Sequence, residues 1–418
     1  MDGNDVRYLQ EPVDQFTPKN KLLTAALFSS AGSVGSSMLG SSDNRGISTK
    51  ILCLFTTILS FLTICFIFKD KQYSTDLTNV YYISKAESVT VTTNYSNSNS
   101  QKKIILFWNP SSEFKAHMIN NRKCFRSKCW MTSDRSIFDR SDAVVFSMEE
   151  KLVLPKKRYG QIWVSRAMES PDNCQYSIKS WKNKFNWTLT YRRDSDLLAL
   201  YGGFRPYKRN NTVLNYNDLL KQKSKHVLWF ASNCYTTGAK ERLSFVKMLQ
   251  DAFRVDVIGK CGTESCPRSD KDCRRRLLNE TYTFYFSFEN SICRDYVTEK
   301  VYDVMNNLIV PIIRCGVNST IFLPPKSYID ITDFKQASFL GHFLHELASN
   351  EKKYGEYFKW RTSFEARSPV PDVWCILCHK LHNQNKYRRL YRDVSDWWRG
   401  NDKNSGKMCK SKLSTMNT

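Results

Sequence analysis

Apolar positions along this chain gather into short dense runs divided by longer polar connections. KIILFW from Lys103, DAVVF (142–146), QIWVS (161–165) and WTLTY (187–191) are rich in β-branched and aromatic residues. Such runs suit strands buried on both faces, so an α/β unit is expected over about 102–220. A second unit opens at HVLWFAS (226–232). A helix from about Ala239 to Phe253 follows, with Leu243, Val246 and Leu249 on its apolar side, and VDVI (255–258) returns as a strand. The pattern then repeats: strand at Tyr282–Phe288, apolar positions at helical spacing (Val297, Val301, Val304, Leu308), and strand at Val310–Ile313. Strand–helix–strand units of this kind build parallel sheets.

The N-terminal quarter reads differently. Residues 1–50 are polar with scattered Ser and Gly, as expected of a disordered tail. Ile51–Phe68 is an uncharged apolar run of 18 residues, near the lower limit for crossing a bilayer of about 30 Å hydrocarbon thickness. It has no polar face at any helical spacing and no small-residue cleavage site, so it is read as a membrane anchor. The Ser/Thr/Asn-rich stretch 69–101 is read as a flexible stem. Twelve of the fourteen cysteines follow the anchor, which favours a type II protein whose later part lies in an oxidising lumen. Five N-x-S/T sequons, at Asn94, Asn186, Asn210, Asn279 and Asn318, are compatible with that compartment. The net charge of +23 raises nucleic acid as a partner. The cations are spread along the chain without a binding motif, so no nucleic-acid partner is expected.

Candidate chemistry concentrates in the loop after Phe288, which carries Glu289, Asn290, Arg294, Asp295, Glu299 and Lys300. In an open α/β sheet, ligands bind beyond the carboxyl ends of the strands. A cation at a helix start can seat an anion such as a diphosphate; Lys300 and Arg242 each fall at such a place. Glu169, in the turn-forming phrase MESPDN, is a loop carboxylate beyond another strand and could accept a proton. Asp194-Ser195-Asp196 is a literal D-x-D, a possible metal–diphosphate element. CILCH (375–379) matches a haem-attachment string, but a single copy in an oxidising compartment favours structural disulfides. Cys124, Cys129, Cys261, Cys266, Cys273, Cys375 and Cys378 are the candidate members, with connectivity open. Neither a G-x-x-x-x-G-K-[ST] loop nor a G-x-S-x-G elbow occurs.

The wording of FYFSFENSICRDYVTEKVYDVMNN (284–307) closely resembles the signature of the α1,3-fucosyltransferases. QIWVSRAMESPDN (161–173), FNWTLTYRRDSDLLALYG (185–202), SNC with ERLSFVKML and VDVIGKCG (232–262), and FKWR (358–361) agree with that family in the same order. WCILCHKLH and DVSDWWRG (374–400), with GKCG, look most like the insect and nematode enzymes that fucosylate the N-glycan core. The resemblance covers roughly 100–405 and implies two Rossmann-like domains facing a cleft, the GT-B architecture. An acceptor-side domain would span 102–220 and a GDP-fucose-binding domain, with a C-terminal extension, 221–418. It also implies an inverting enzyme of the Golgi membrane, taking GDP-fucose as donor and an N-glycan GlcNAc as acceptor. Glu169 would be the general base, and Arg242, Asn290, Tyr296, Glu299 and Lys300 would contact the donor. No metal is obligatory on this reading, Mn²⁺ or Mg²⁺ at most stimulating, and the D-x-D takes an inter-domain role. Trp108, Trp163 and Trp187 are candidate stacking surfaces for acceptor sugars. Rival expectations are a Lewis-type acceptor, another donor sugar, or a catalytically silent membrane lectin.

Overall fold

A computed structural model describes residues 101–110, 120, 128–149, 152–174, 181–206, 218–235, 237–267, 269–316, 319–367, 373–401 and 408–410. The expected tail, anchor and stem lie outside the described residues, as do Cys124, Asn94, Asn210 and Asn318. Among the described residues no helix is long and apolar enough to cross a membrane.

The chain is α/β, with two parallel sheets. The first contains β1 (Lys103–Phe107), β2 (Cys129–Thr132), β3 (Ala143–Ser147), β4 (Ile162–Ala167), β5 (Trp187–Thr190) and β6 (Leu197–Leu198), in the order β2-β1-β3-β4-β5-β6. Its strands alternate between two buried faces. Ile105, Phe107, Val145 and Val164 pack with Leu377, Cys378 and Leu381. Leu106, Val144, Phe146 and Trp163 pack with Tyr391, Val394, Trp397 and Trp398 on the other face. The covering residues belong to the helices Val373–His382 and Val394–Arg399 and the segment between them. The expected C-terminal extension of the second half therefore folds back onto the first sheet.

The second sheet contains β8 (Lys225–Phe230), β9 (Val255–Ile258), β10 (Tyr282–Phe288), β11 (Val310–Arg314) and β12 (Ile329–Asp330), in the order β12-β11-β10-β8-β9. Its order reverses direction beside β8 and β10, the kind of switch point where ligands bind. The seven residues of β10 are all buried, as expected of a central parallel strand. Helix α1 (Thr237–Gln250) and helix α4 (Ala337–Ala348) cover one face, through Val246, Leu249, Leu340 and Leu344 against Phe284, Phe286 and Phe288. Between them in the chain come α2 (Lys271–Arg276) and α3 (Glu299–Met305). Helix α3 is shorter than the apolar spacing suggests. Thr298 caps it, so Val297 packs from the preceding loop beside Val301, Tyr302 and Met305.

An antiparallel pair, β7 (Gly203–Pro206) with β13 (Phe364–Arg367), stands apart from both sheets. Gly202 precedes it at a close approach: a Cβ there would lie 2.1 Å from the Tyr302 ring.

Candidate active site

Glu169 lies two residues beyond β4. The backbone of its loop is held by the carboxylate of Glu149, which accepts from the amides of Met168 (2.6 Å) and Glu169 (3.3 Å). The Tyr201 hydroxyl donates to the Met168 carbonyl from the other side. The Ser170 hydroxyl, buried, donates across to Ser291 at 2.7 Å, joining this loop to the one after β10.

That second loop delivers partners to Glu169. Oε2 accepts from the Tyr296 hydroxyl (3.2 Å), Asn173 Nδ2 (3.3 Å) and Asn290 Nδ2 (3.4 Å). Oε1 has no hydrogen bond among the described residues and is open to a proton-bearing group. Tyr296 is buried, and burial followed by the negative charge of Glu289 pushes its hydroxyl well above the ordinary tyrosine range. It stays a neutral donor. The Asn290 Oδ1 is buried with no hydrogen-bond partner among the described residues.

The loop is built to aim these groups. Asp295 adopts φ 58°, in the left-handed region that Asp tolerates better than most residues. Its buried carboxylate takes the amide and Nε of Arg193, at 3.1 and 3.2 Å. The Cys293–Cys409 disulfide pins the loop to the C-terminal segment, with Arg294 N to Met408 O (2.7 Å) and Lys410 N to Ile292 O (2.9 Å) alongside. Gly238, at the start of α1, lets that helix approach: a Cβ would stand 2.2 Å from the Asn290 carbonyl oxygen.

A cavity of about 490 Å³ opens at the carboxyl ends of β8 and β10, walled by Trp229, Phe230, Tyr285, Arg242, Glu299 and Lys300. Arg242 is only 7% exposed and donates through Nη1 to the Phe288 carbonyl (3.0 Å), while its Nε has no partner. Burial pulls its basicity below the usual arginine range, with Glu289 opposing. The Lys300 ammonium is fully engaged. It reaches Thr298 Oγ1 at 2.8 Å, Glu299 Oε1 at 3.2 Å and Glu289 Oε2 at 3.3 Å. Burial would lower its pKa, but the two carboxylates outweigh burial and hold it above the ordinary lysine value. Glu289, 2% exposed, also accepts from the Thr298 amide at 2.7 Å. An anion entering this cavity meets a Lys300 whose charge is already matched by two carboxylates.

The structure thus forms two neighbouring groups, Glu169 with Asn290 and Tyr296, and Arg242 with Glu299 and Lys300. The loop 289–300 joins them. Sequence reasoning missed Glu149, for which no motif offered a signal, and the role of Glu289, which was visible only as one loop carboxylate among several.

Other expectations resolve into structural roles. Asp194 takes Nε and Nη2 of Arg192 (2.9 and 2.5 Å), whose Nη1 reaches the Trp397 carbonyl. Asp196 accepts from Thr188, Tyr391 and Arg389. Asp196 thus binds the C-terminal return directly, and Asp194 does so through Arg192. Cys129 pairs with Cys378, Cys266 with Cys273, and Cys261 with Cys234; Cys375 is also disulfide-bonded. Cys234, Cys293 and Cys409 are additional members. Of the stacking candidates, Trp163 and Trp187 are core residues whose Nε1 groups bond to Gln161 Oε1 and the Tyr387 carbonyl, which corrects that reading for both. Trp108 is half-buried, with the Arg135 guanidinium 4.7 Å over its ring. Two sequon amides donate to backbone carbonyls at the surface: Asn186 Nδ2 to Arg389 O (3.0 Å) and Asn279 Nδ2 to Arg275 O (3.0 Å).

Comparison with known proteins agrees with this geometry. Residues 220–397 match the family described as glycosyltransferase family 10 (fucosyltransferase) C-term, and residues 100–202 match fucosyltransferase, N-terminal. Alpha-(1,3)-fucosyltransferase C of Drosophila melanogaster is 32% identical over 62% of this chain and 65% of that protein. Glycoprotein 3-alpha-L-fucosyltransferase A of the same fly is 32% identical over 66% of this chain and 56% of its own length. The chain thus matches less than two thirds of either fly protein. The human 4-galactosyl-N-acetylglucosaminide 3-alpha-L-fucosyltransferase FUT6 is 32% identical over 65% of this chain and 75% of its own length. The chain belongs to glycosyltransferase family 10, the fucosyltransferases.

Proposed function

We propose that this protein transfers L-fucose from GDP-fucose to the 3-hydroxyl of an N-acetylglucosamine in the N-glycan core, with inversion at the anomeric carbon. The observation that carries the reading is Glu169, whose Oε2 is held by Tyr296 and Asn290 while Oε1 stays open, beside a cation-bearing cavity. In a single displacement, the acceptor oxygen attacks the anomeric carbon as the bond to the diphosphate breaks. Glu169 takes the hydroxyl proton, and the leaving GDP carries away the electron pair. Arg242 and Lys300 stabilise the charge that develops on the departing diphosphate. Glu299 releases Lys300 toward it, and Asn290 Oδ1 is offered to a sugar hydroxyl.

On this reading the two sheets face one another across a GT-B cleft. The first binds acceptor and the second donor. Mn²⁺ or Mg²⁺ could only assist GDP release. The lumenal Golgi setting, with Ile51–Phe68 as the anchor of a type II protein, is part of the same proposal. The Drosophila relative named as a glycoprotein fucosyltransferase and the C-terminal phrases favour a core acceptor. A Lewis-type acceptor is the second reading, favoured by the name of the human relative.

The test uses the full chain in mild detergent with GDP-fucose and two acceptors, a GlcNAc-terminated N-glycopeptide and N-acetyllactosamine. Fucosylation of the glycopeptide, with lactosamine poor, is expected. Preference for lactosamine would move the acceptor to the second reading, and no transfer to either would reject the enzyme.

A further inference from the structure

Arg314, the last residue of β11, drew no attention in the sequence, and the proposed mechanism does not use it. It is 5% exposed, its Nε has no hydrogen-bond partner, and it makes no ion pair among the described residues. Its guanidinium lies 4.6 Å over the Phe245 ring, one turn along α1 from Arg242. Arg314 is also the register partner of Phe288, whose carbonyl accepts from Arg242. Two guanidiniums, one from the helix and one from the strand end, therefore converge on the last residue of β10. Both are more than nine-tenths buried and both keep an unpartnered Nε.

An unpaired buried charge is costly, and two of like sign beside each other more so. Burial, with Arg242 adding to it, lowers the Arg314 pKa to about 10, and Glu241 opposes only in part. Two other cations in tight surroundings are matched instead. Arg192 is buried to 1% exposure and has Asp194 and the Trp397 carbonyl on its donors. Lys300 is matched by two carboxylates. Among the described residues of the donor half, Arg242 and Arg314 are the buried cations without a carboxylate partner, whereas Lys300 is already matched.

On the reading that the donor is a nucleoside-diphosphate sugar, we infer that Arg314, next to the cavity's Arg242 but outside its wall, is the second guanidinium that draws the diphosphate toward the end of β10. A planar guanidinium offers a fork of donors to a phosphate, and an anion between two of them removes both the repulsion and the desolvation cost.

Calorimetric titration of the full chain with GDP and with guanosine tests this, comparing wild type with Arg314→Gln, Arg314→Met and Arg314→Lys. The Gln and Met variants are expected to lose about tenfold or more in GDP affinity. Their guanosine affinity should be unchanged and their ligand-free melting temperature no lower, with Lys intermediate for GDP. GDP affinity within twofold of wild type in the folded Gln or Met variant overturns the inference, as does equal weakening of GDP and guanosine. Failure of all three variants to fold also counts against it, because Arg314 would then be holding the fold together. A wild-type chain that binds neither GDP nor guanosine would instead sink the donor reading on which the inference rests.

Discussion

The two sheets are made from the same kind of strand, yet they complete their cores in opposite ways. The second sheet draws its main cluster from a continuous stretch, Leu219 to Phe358, in which each strand is covered by helices close to it in sequence. The first sheet is covered only in part by its own neighbourhood, through Trp181 and Phe185, and is completed on both faces by residues 373–409. The Trp187 Nε1 bond to Tyr387 spans 200 residues and the Cys129–Cys378 disulfide spans 249. The same asymmetry holds at the site. The cation cavity is assembled wholly within the second half, whereas Glu169 depends on Asn290 and Tyr296 from the other. Donor binding should therefore be robust to damage in the first half, and chemistry should not.

The largest effect expected from breaking this division comes from Glu169→Gln. Transfer should fall by about 10²–10⁴-fold, the usual scale for a general base, with GDP affinity unchanged because the nucleotide cavity belongs to the second half. Turnover and calorimetry on the same preparation check it, and a loss of GDP binding would show that the two groups are not separable.

Cys129→Ser comes next. Loss of the bridge to Cys378 should cost about 2–5 kcal/mol, and the cost should be local. Hydrogen exchange read by mass spectrometry is expected to speed up in β1–β4 and in 373–401 while β8–β11 stay protected. Uniform loosening of both sheets would mean that the first half is not independently stapled.

The smallest is Tyr296→Phe, which removes a single hydroxyl from the carboxylate. A hydrogen bond to a charged group contributes roughly 1.5–3 kcal/mol, so kcat should drop by about 10- to 100-fold. The donor KM should stay near wild type. A raised donor KM with unchanged kcat would move Tyr296 to the nucleotide.

Most strands of both sheets were legible in the sequence because each is a compact run buried on two faces, and such a run needs no partner to be recognised. Lys103, Asp142, Gln161, Trp187 and His226 each stand within two residues of an observed strand start. What escaped depended on distance along the chain. β2 is a four-residue strand, the β7–β13 pair joins positions about 160 residues apart, and Trp397 is buried only because the C-terminal segment returns to the first sheet. The site followed the same rule. Glu169 and the residues of loop 289–300 could be found from their phrases. That Lys300 is already neutralised, and that Arg314 is not, follows from which carboxylates the fold brings near, and spacing carries no trace of that.

The return of residues 373–410 to the first sheet also sets an order of events in biosynthesis. A chain emerges at about 5–20 residues per second, so the 249 residues separating Cys129 from Cys378 take roughly 10–50 s to appear. Throughout that interval Cys129 lacks its native partner and the first sheet lacks the C-terminal residues that complete its two faces. The second half, whose covering helices arrive with its strands, can fold before its elder neighbour. Maturation thus runs against the direction of synthesis, and the corner holding Glu169 is the last part of the protein to become competent. A holding chaperone and a thiol oxidase acting late on the nascent chain would be the natural companions of such a sequence of steps.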